Sequence, residues 1–173
     1  MDKSFVLEHC KGGHLYTLVG AGGKSTAMKL MGKQLLEEGY RVILSTTTHL
    51  QKDEFQGYPC HIGALDSLPE IQGALLAVAG EAGEKKYKGY SQEEWEAFPI
   101  PLDTIVLVEG DGSRRLPFKV PYSHEPVVPR NTARIFLVLS AAVFGKEATA
   151  LNTYNLEGLQ EAVGPQPYYT PEV

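Results

Sequence analysis

Two cysteines in 173 residues, Cys10 and Cys60, are too few for a disulfide framework. In a reducing compartment each is expected to act as a small buried hydrophobe. Long apolar runs are missing too. Nothing approaches the roughly 20 residues that span a bilayer, and Met1-Asp2-Lys3-Ser4 leads into no signal-peptide core. Both absences point to a cytoplasmic protein with no membrane partner. Basic clusters are equally scarce, with Lys and Arg never more than two in a row and 16 of them against 21 Asp and Glu, a formal charge of −5. Phosphodiester backbones are held by basic faces, so nucleic acid is not an expected partner. Repeats are absent, and no linker precedes residue 140, so residues 1–173 are expected to form one nucleotide-binding domain.

What the chain does have is concentrated in residues 15–26, where an apolar run, Leu-Tyr-Thr-Leu-Val, meets a glycine-rich turn ending in Gly-Lys-Ser-Thr. This reads as strand, phosphate loop, helix. Gly20, Gly22 and Gly23 allow positive φ and bring successive N–H groups close to a polyanion. Lys24 adds a full charge to the cradle and is expected to project into open solvent. Ser25 and Thr26 begin a helix whose N-terminus favours phosphate. The nucleotide-binding candidates are therefore Gly20, Ala21, Gly22, Gly23, Lys24, Ser25 and Thr26. The standard loop G-x-x-x-x-G-K-[ST] would put its first glycine at Leu18. The shorter Gly20-x-x-Gly23-Lys24-Ser25 is similar to the loops of ATP-dependent Mur-type ligases. A dinucleotide-binding reading of Gly20-Ala21-Gly22 fails, because its third glycine falls on Ser25 and Leu44-Ser45-Thr46 stands where a ribose-binding acid belongs.

After the loop, Met28, Met31, Leu35 and Leu36 recur at helical spacing as far as Glu38, with Gly39 closing the helix. Residues 41–46 then form a β-branched buried strand, completing a right-handed βαβ unit. Residues 51–73 read as irregular, with a short strand near Cys60-His61-Ile62, and residues 74–79 as a third strand. Residues 81–89 are charged and punctuated by glycine, and are expected to be a mobile loop. Ser91-Gln92-Glu93-Glu94 is a capping box starting a short helix through Trp95 that Pro99 and Pro101 stop. Strands are predicted at 104–108 and 134–140 and a helix at 156–163. Pro165-Gln166-Pro167 and Thr170-Pro171 suggest an open, non-compact end. The expected fold class is α/β: a three-layer, phosphate-loop-type, mostly parallel sheet of about five or more strands with helices on both faces.

Open α/β sheets bind ligands along the carboxyl rim of their strands. Thr46-Thr47-Thr48-His49 ends the second strand on that rim. Thr48 and His49 either meet a phosphate, a metal or a second substrate, or express only β-propensity and a solvated imidazole. Glu109-Gly110-Asp111-Gly112 ends a later strand, as a Mg²⁺ site beside a phosphate loop requires. Ser25, Glu109 and Asp111 are thus the metal-ligand candidates. Lys24, Glu109 and Asp111 are the catalytic ones, with one acid orienting the nucleophile. The implied cofactors are Mg²⁺ and ATP or GTP. Ser140-Ala141-Ala142 carries no guanine signature, which does not decide the base. Arg114, Arg115 and Lys119, and then His124 and Glu125 on a proline-fixed path, are candidates for a second anionic substrate or for acid–base work. The competing reading is solvated cations and turn-stabilising hydrogen bonds.

Together Leu18-Val19-Gly20-Ala21-Gly22-Gly23-Lys24-Ser25-Thr26, Thr46-Thr47-Thr48-His49, Glu109-Gly110-Asp111-Gly112-Ser113-Arg114-Arg115-Leu116-Pro117 and His124-Glu125-Pro126-Val127-Val128-Pro129 resemble the selenium-dependent hydroxylase accessory proteins, the YqeC family. The resemblance runs from about Leu15 to Ser140. It implies a nucleotide-binding accessory protein in the maturation of selenium-dependent molybdenum hydroxylases, with such a hydroxylase or its cofactor-maturation proteins as partners. Family members tend to continue beyond the point corresponding to Val173, so it also implies a chain truncated at its C-terminus. Three activities fit the motifs: Mg²⁺-dependent NTP hydrolysis or phosphoryl transfer, a nucleotide-gated binding protein or metallochaperone that turns over slowly, and a Mur-like ligase, for which the chain is short.

Overall fold

The computed structural model describes residues 3–70, 72–165 and 167–170. The chain opens with helix α1 (Lys3–His9), strand β1 (His14–Gly20), helix α2 (Lys24–Glu37), strand β2 (Arg41–Thr46) and short strands β3 (His49–Gln51) and β4 (Cys60–Ile62). Strands β5 (Ala74–Val78), β6 (Gly80–Glu81) and β7 (Lys86–Lys88) lead to helix α3 (Gln92–Ala97) and strand β8 (Thr104–Glu109). Strands β9 (Phe118–Lys119), β10 (Thr132–Val138) and β11 (Thr153–Tyr154) and helix α4 (Leu156–Val163) follow.

Six strands form a parallel sheet in the order β10-β1-β8-β2-β5-β4. A strand paired on both sides and covered on both faces must be apolar throughout, and all of β8 is buried. Met28, Met31 and Leu35 of α2 and Val6 of α1 pack on one face, over Leu18, Leu44 and Leu107. Trp95 of α3 and Tyr90 pack on the other, over Leu15, Ile43, Val106 and Val108. Burying each such side chain contributes about 1.5–3 kcal/mol, and the two layers make the α/β sandwich that the hydrophobic pattern predicts. The capping box at Ser91 is present in full, its side chain accepting from the Glu94 amide while the Glu94 carboxylate accepts from the Ser91 amide.

Three expectations change, and the edge position of β10 adds to them. Residues 81–89 are not loop throughout: β7 pairs antiparallel with β3 on one side and β6 on the other in a three-stranded ribbon, and only the turn at 82–85 joins β6 to β7. The signal was the alternation Lys86-Tyr87-Lys88, a period of two too short to stand out among the glycines. Cys10 is buried, and burial pushes its thiol up to about 12, whereas Cys60 is exposed. The β10 segment is an edge strand whose Ile135 and Leu137 are 53% and 66% exposed, as is Leu139 just beyond it at 54%. The C-terminal end folds back, with the amides of Gly145 and Ala148 donating to the carbonyls of Tyr169 and Pro167, and Tyr169 buried beside Val143 and Leu159. Of the predicted open end, Gln166 and Pro171 lie outside the described residues. Helix α1 has no counterpart in the sequence reading. No helix among the described residues is long and apolar enough to cross a membrane.

Candidate functional site

Strand order builds the site. Because β8 lies between β1 and β2, Glu109 sits beside the turn that follows Gly20 and beside Thr46. A cleft of about 580 Å³ opens along this rim, lined by Gly22–Thr26 on the loop, Thr48 and His49 after β2, and Glu109 after β8. Arg114, Glu125, Ser140 and Tyr154 close it on the β10 side.

The loop divides into a structural and an open part. Gly20 donates its amide to both carboxylate oxygens of Asp111 at 3.1 Å, and Ala21 donates to the Val138 carbonyl at 2.9 Å. These two candidates therefore shape the turn. The amides of Gly22, Gly23, Lys24, Ser25 and Thr26 meet no acceptor among the described residues, and these five residues line the cleft. Gly22 has φ +78°, and a Cβ there would run into Ser140 and the Pro117 carbonyl, so only glycine fits.

Lys24 departs most from expectation. It does not project into solvent: only 4% of its side chain is exposed, and its ammonium donates to the Gly20 carbonyl at 2.5 Å. It pairs with Asp111 at 3.2 Å and Glu109 at 3.6 Å. Asp111 also holds Lys119 at 3.2 Å, and Lys119 reaches Glu125 at 2.8 Å and the Gly112 carbonyl at 2.6 Å. The result is a buried chain of alternating charge, Lys24–Asp111–Lys119–Glu125. Both Asp111 oxygens are committed within it, so the expected role as a metal ligand does not fit Asp111.

Glu109 is different. Its carboxyl is buried, one oxygen (Oε2) has no partner among the described residues, and burial raises its pKa to about 7 against the lowering effect of Lys24. Glu109 lines the cleft, and a buried hard oxygen without a hydrogen-bond partner is of the chemical type that suits Mg²⁺, as is the Ser25 hydroxyl on the loop. Among the described residues no group of three or more His, Cys, Asp or Glu is placed to hold a metal ion.

Sequence reading missed Glu54. On the single helical turn Lys52–Phe55 it accepts from Ser25 Oγ at 2.5 Å, while its carbonyl accepts from Lys29 at 2.8 Å. Arg115 spans from the opposite wall to Asp53 at 2.6 Å and Glu54 at 3.4 Å, and the Asp53 pair holds that carboxyl below its usual range. Arg115 is thus engaged by acids rather than free for a second substrate. Arg114, left-handed at φ 51°, lies over the Tyr154 ring. Thr48 and His49 reach the cleft, whereas Thr46 and Thr47 bind their hydroxyls to the carbonyls of Glu109 and Val127. Glu125 lines the cleft, but His124 does not, stacking on Tyr122 in solvent.

A family model described as YqeC protein matches residues 16–157. The uncharacterized protein YqeC of Escherichia coli (strain K12) is 26% identical over 156 residues, which cover 87% of this chain and 61% of the relative. The chain thus spans less than two thirds of that protein. No solved structure matches. The chain belongs to the YqeC family.

Proposed function

For this member of the YqeC family we propose Mg²⁺-dependent binding of a nucleoside triphosphate, with hydrolysis or transfer of its terminal phosphoryl group. The observation that carries this reading is the meeting of unpaired loop amides, Lys24 and the orphaned Glu109 oxygen on one cleft. The amides of Gly22–Thr26 and the Lys24 ammonium hold the phosphates by charge-assisted hydrogen bonds. Ser25 and Glu109 would hold Mg²⁺, which supplies positive charge to the phosphate oxygens. Glu109, placed beside the loop, orients the attacking hydroxyl or water toward the phosphorus. The family resemblance supports a role for this chemistry in the maturation of selenium-dependent molybdenum hydroxylases.

A nucleotide-gated switch with slow turnover is the second reading, and one observation favours it. Lys24 and Ser25 are held by Asp111, Glu109 and Glu54, so phosphate binding exchanges those pairs and moves the walls that carry them. Titration of ATP and GTP with Mg²⁺ tests nucleotide binding, and Lys24→Met is expected to weaken it by roughly 10- to 100-fold. Absence of binding by both nucleotides refutes both readings. Turnover in the presence of candidate acceptors then separates enzyme from switch.

A further inference from the structure

The ribbon formed by β3, β7 and β6 has two unlike faces. In an antiparallel pair, residues directly opposite share a face and alternate residues change face. His49 lies opposite Lys88 and Gln51 opposite Lys86, so these four share one face, with Gly80 beside Lys88. Leu50, Tyr87 and Glu81 share the other. There Leu50 is buried and Glu81 is neutralised by Lys52 at 2.8 Å. The ribbon strands' single acid is therefore on the wrong side to balance Lys86 and Lys88. Neither lysine has an ion pair among the described residues, although like charges on one ribbon face repel. His49, Gln51 and Lys86 line the nucleotide cleft, and Thr48 joins them from the chain before β3.

Strand order places this face. The rim runs from β10 past the loop after β1, past Glu109 at the end of β8, to Thr48 after β2. In that order Thr48, which leads into the ribbon, lies on the far side of Glu109 from Ser140, which follows β10. We propose that it is a second anion subsite, separate from the phosphate loop, binding a cosubstrate that carries a phosphate, carboxylate or similar oxyanion. This rests on the phosphate-loop reading for its role, though its binding can be measured independently. Lys86 supplies charge within the cleft and Lys88 adds to it from the same ribbon face outside the cleft lining, Gln51 and Thr48 supply neutral hydrogen bonds, and His49 adds a donor from the opposite strand. The same oxyanion chemistry has a second source, the terminal phosphate of the nucleotide itself.

The test is a titration of the full chain with inorganic phosphate, followed through the backbone amide resonances of residues 48–51 and 86–88, with and without saturating non-hydrolysable ATP analogue and Mg²⁺. Phosphate should shift these amides in both conditions, weaken with added salt, and bind about tenfold more weakly to a Lys86→Gln/Lys88→Gln variant. Both side chains are exposed, so the variant should keep its circular dichroism, and Lys86→Arg/Lys88→Arg should retain binding. Unshifted amides, or equal affinity in the glutamine variant, overturn the subsite. If the analogue excludes phosphate, the lysines serve the terminal phosphate and the cosubstrate assignment falls. Failure of the nucleotide reading appears separately, as an analogue that does not bind.

Discussion

At the scale of residues, the site depends on two carboxylates, Glu109 and Asp111, separated in sequence only by Gly110 yet opposite in behaviour. Asp111 is enclosed by two ammonium groups and the Gly20 amide, so Asp111→Asn leaves Lys24 and Lys119 poorly compensated. It should cost about 3–5 kcal/mol in urea unfolding, the range for breaking a buried pair from one side. Its loss of nucleotide binding should be the same with and without EDTA. Glu109→Gln should lose only the Mg²⁺-dependent part. Glu109 also sets a pH dependence. Its folded pKa of about 7 lies above the ordinary 4.5, so the folded state holds a proton that the unfolded state has released. Stability therefore falls as pH rises between these values and levels off above the upper one, by up to about 3 kcal/mol. Thermal unfolding from pH 4.5 to 8 should show this decline in the wild type and a flatter profile in Glu109→Gln.

Elements turn these residues into a site. The loop between β1 and α2 is held from beneath by Asp111 and at its side by Ser140 and Pro117, which a Cβ on Gly22 would strike. Gly22→Ala should displace the loop and abolish measurable triphosphate binding, with a stability loss of about 1–3 kcal/mol from the forced backbone. A variant that binds ATP normally would show that the loop amides do not meet phosphate. The segment after β8 does comparable work: Val127 donates to the Gly110 carbonyl at 2.8 Å and Lys119 joins Glu125 to Asp111. The proline-rich path and the loop after β1 thus share one charged seam, Lys24–Asp111–Lys119–Glu125.

For the whole molecule, a ligand that binds only the folded chain at 100 times its Kd adds about 2.7 kcal/mol. In a chain of this size that raises Tm by about 5 to 10 °C. ATP or GTP with Mg²⁺ should produce such a shift, and Lys24→Met should remove it. A melting curve that neither nucleotide moves counts against the cleft as a nucleotide site.

The order of main elements, the α/β class and the loop at Gly20–Thr26 were legible in the sequence because each is written locally, in periods of 3.6 or 2 and in glycine placement. The same holds for the capping box at Ser91. What only the tertiary structure decided is which charges meet. Glu54 reaches the site from a segment distant in sequence, and no local pattern marks a residue whose partner comes from another strand's loop. Burial of Lys24 likewise follows from β8 lying between β1 and β2, which places Asp111 under the loop. The faces of the β3–β7 ribbon were hidden for the same reason: strands of three residues carry too little periodicity to be read alone, and their register is set by the partner strand and the core beneath Leu50.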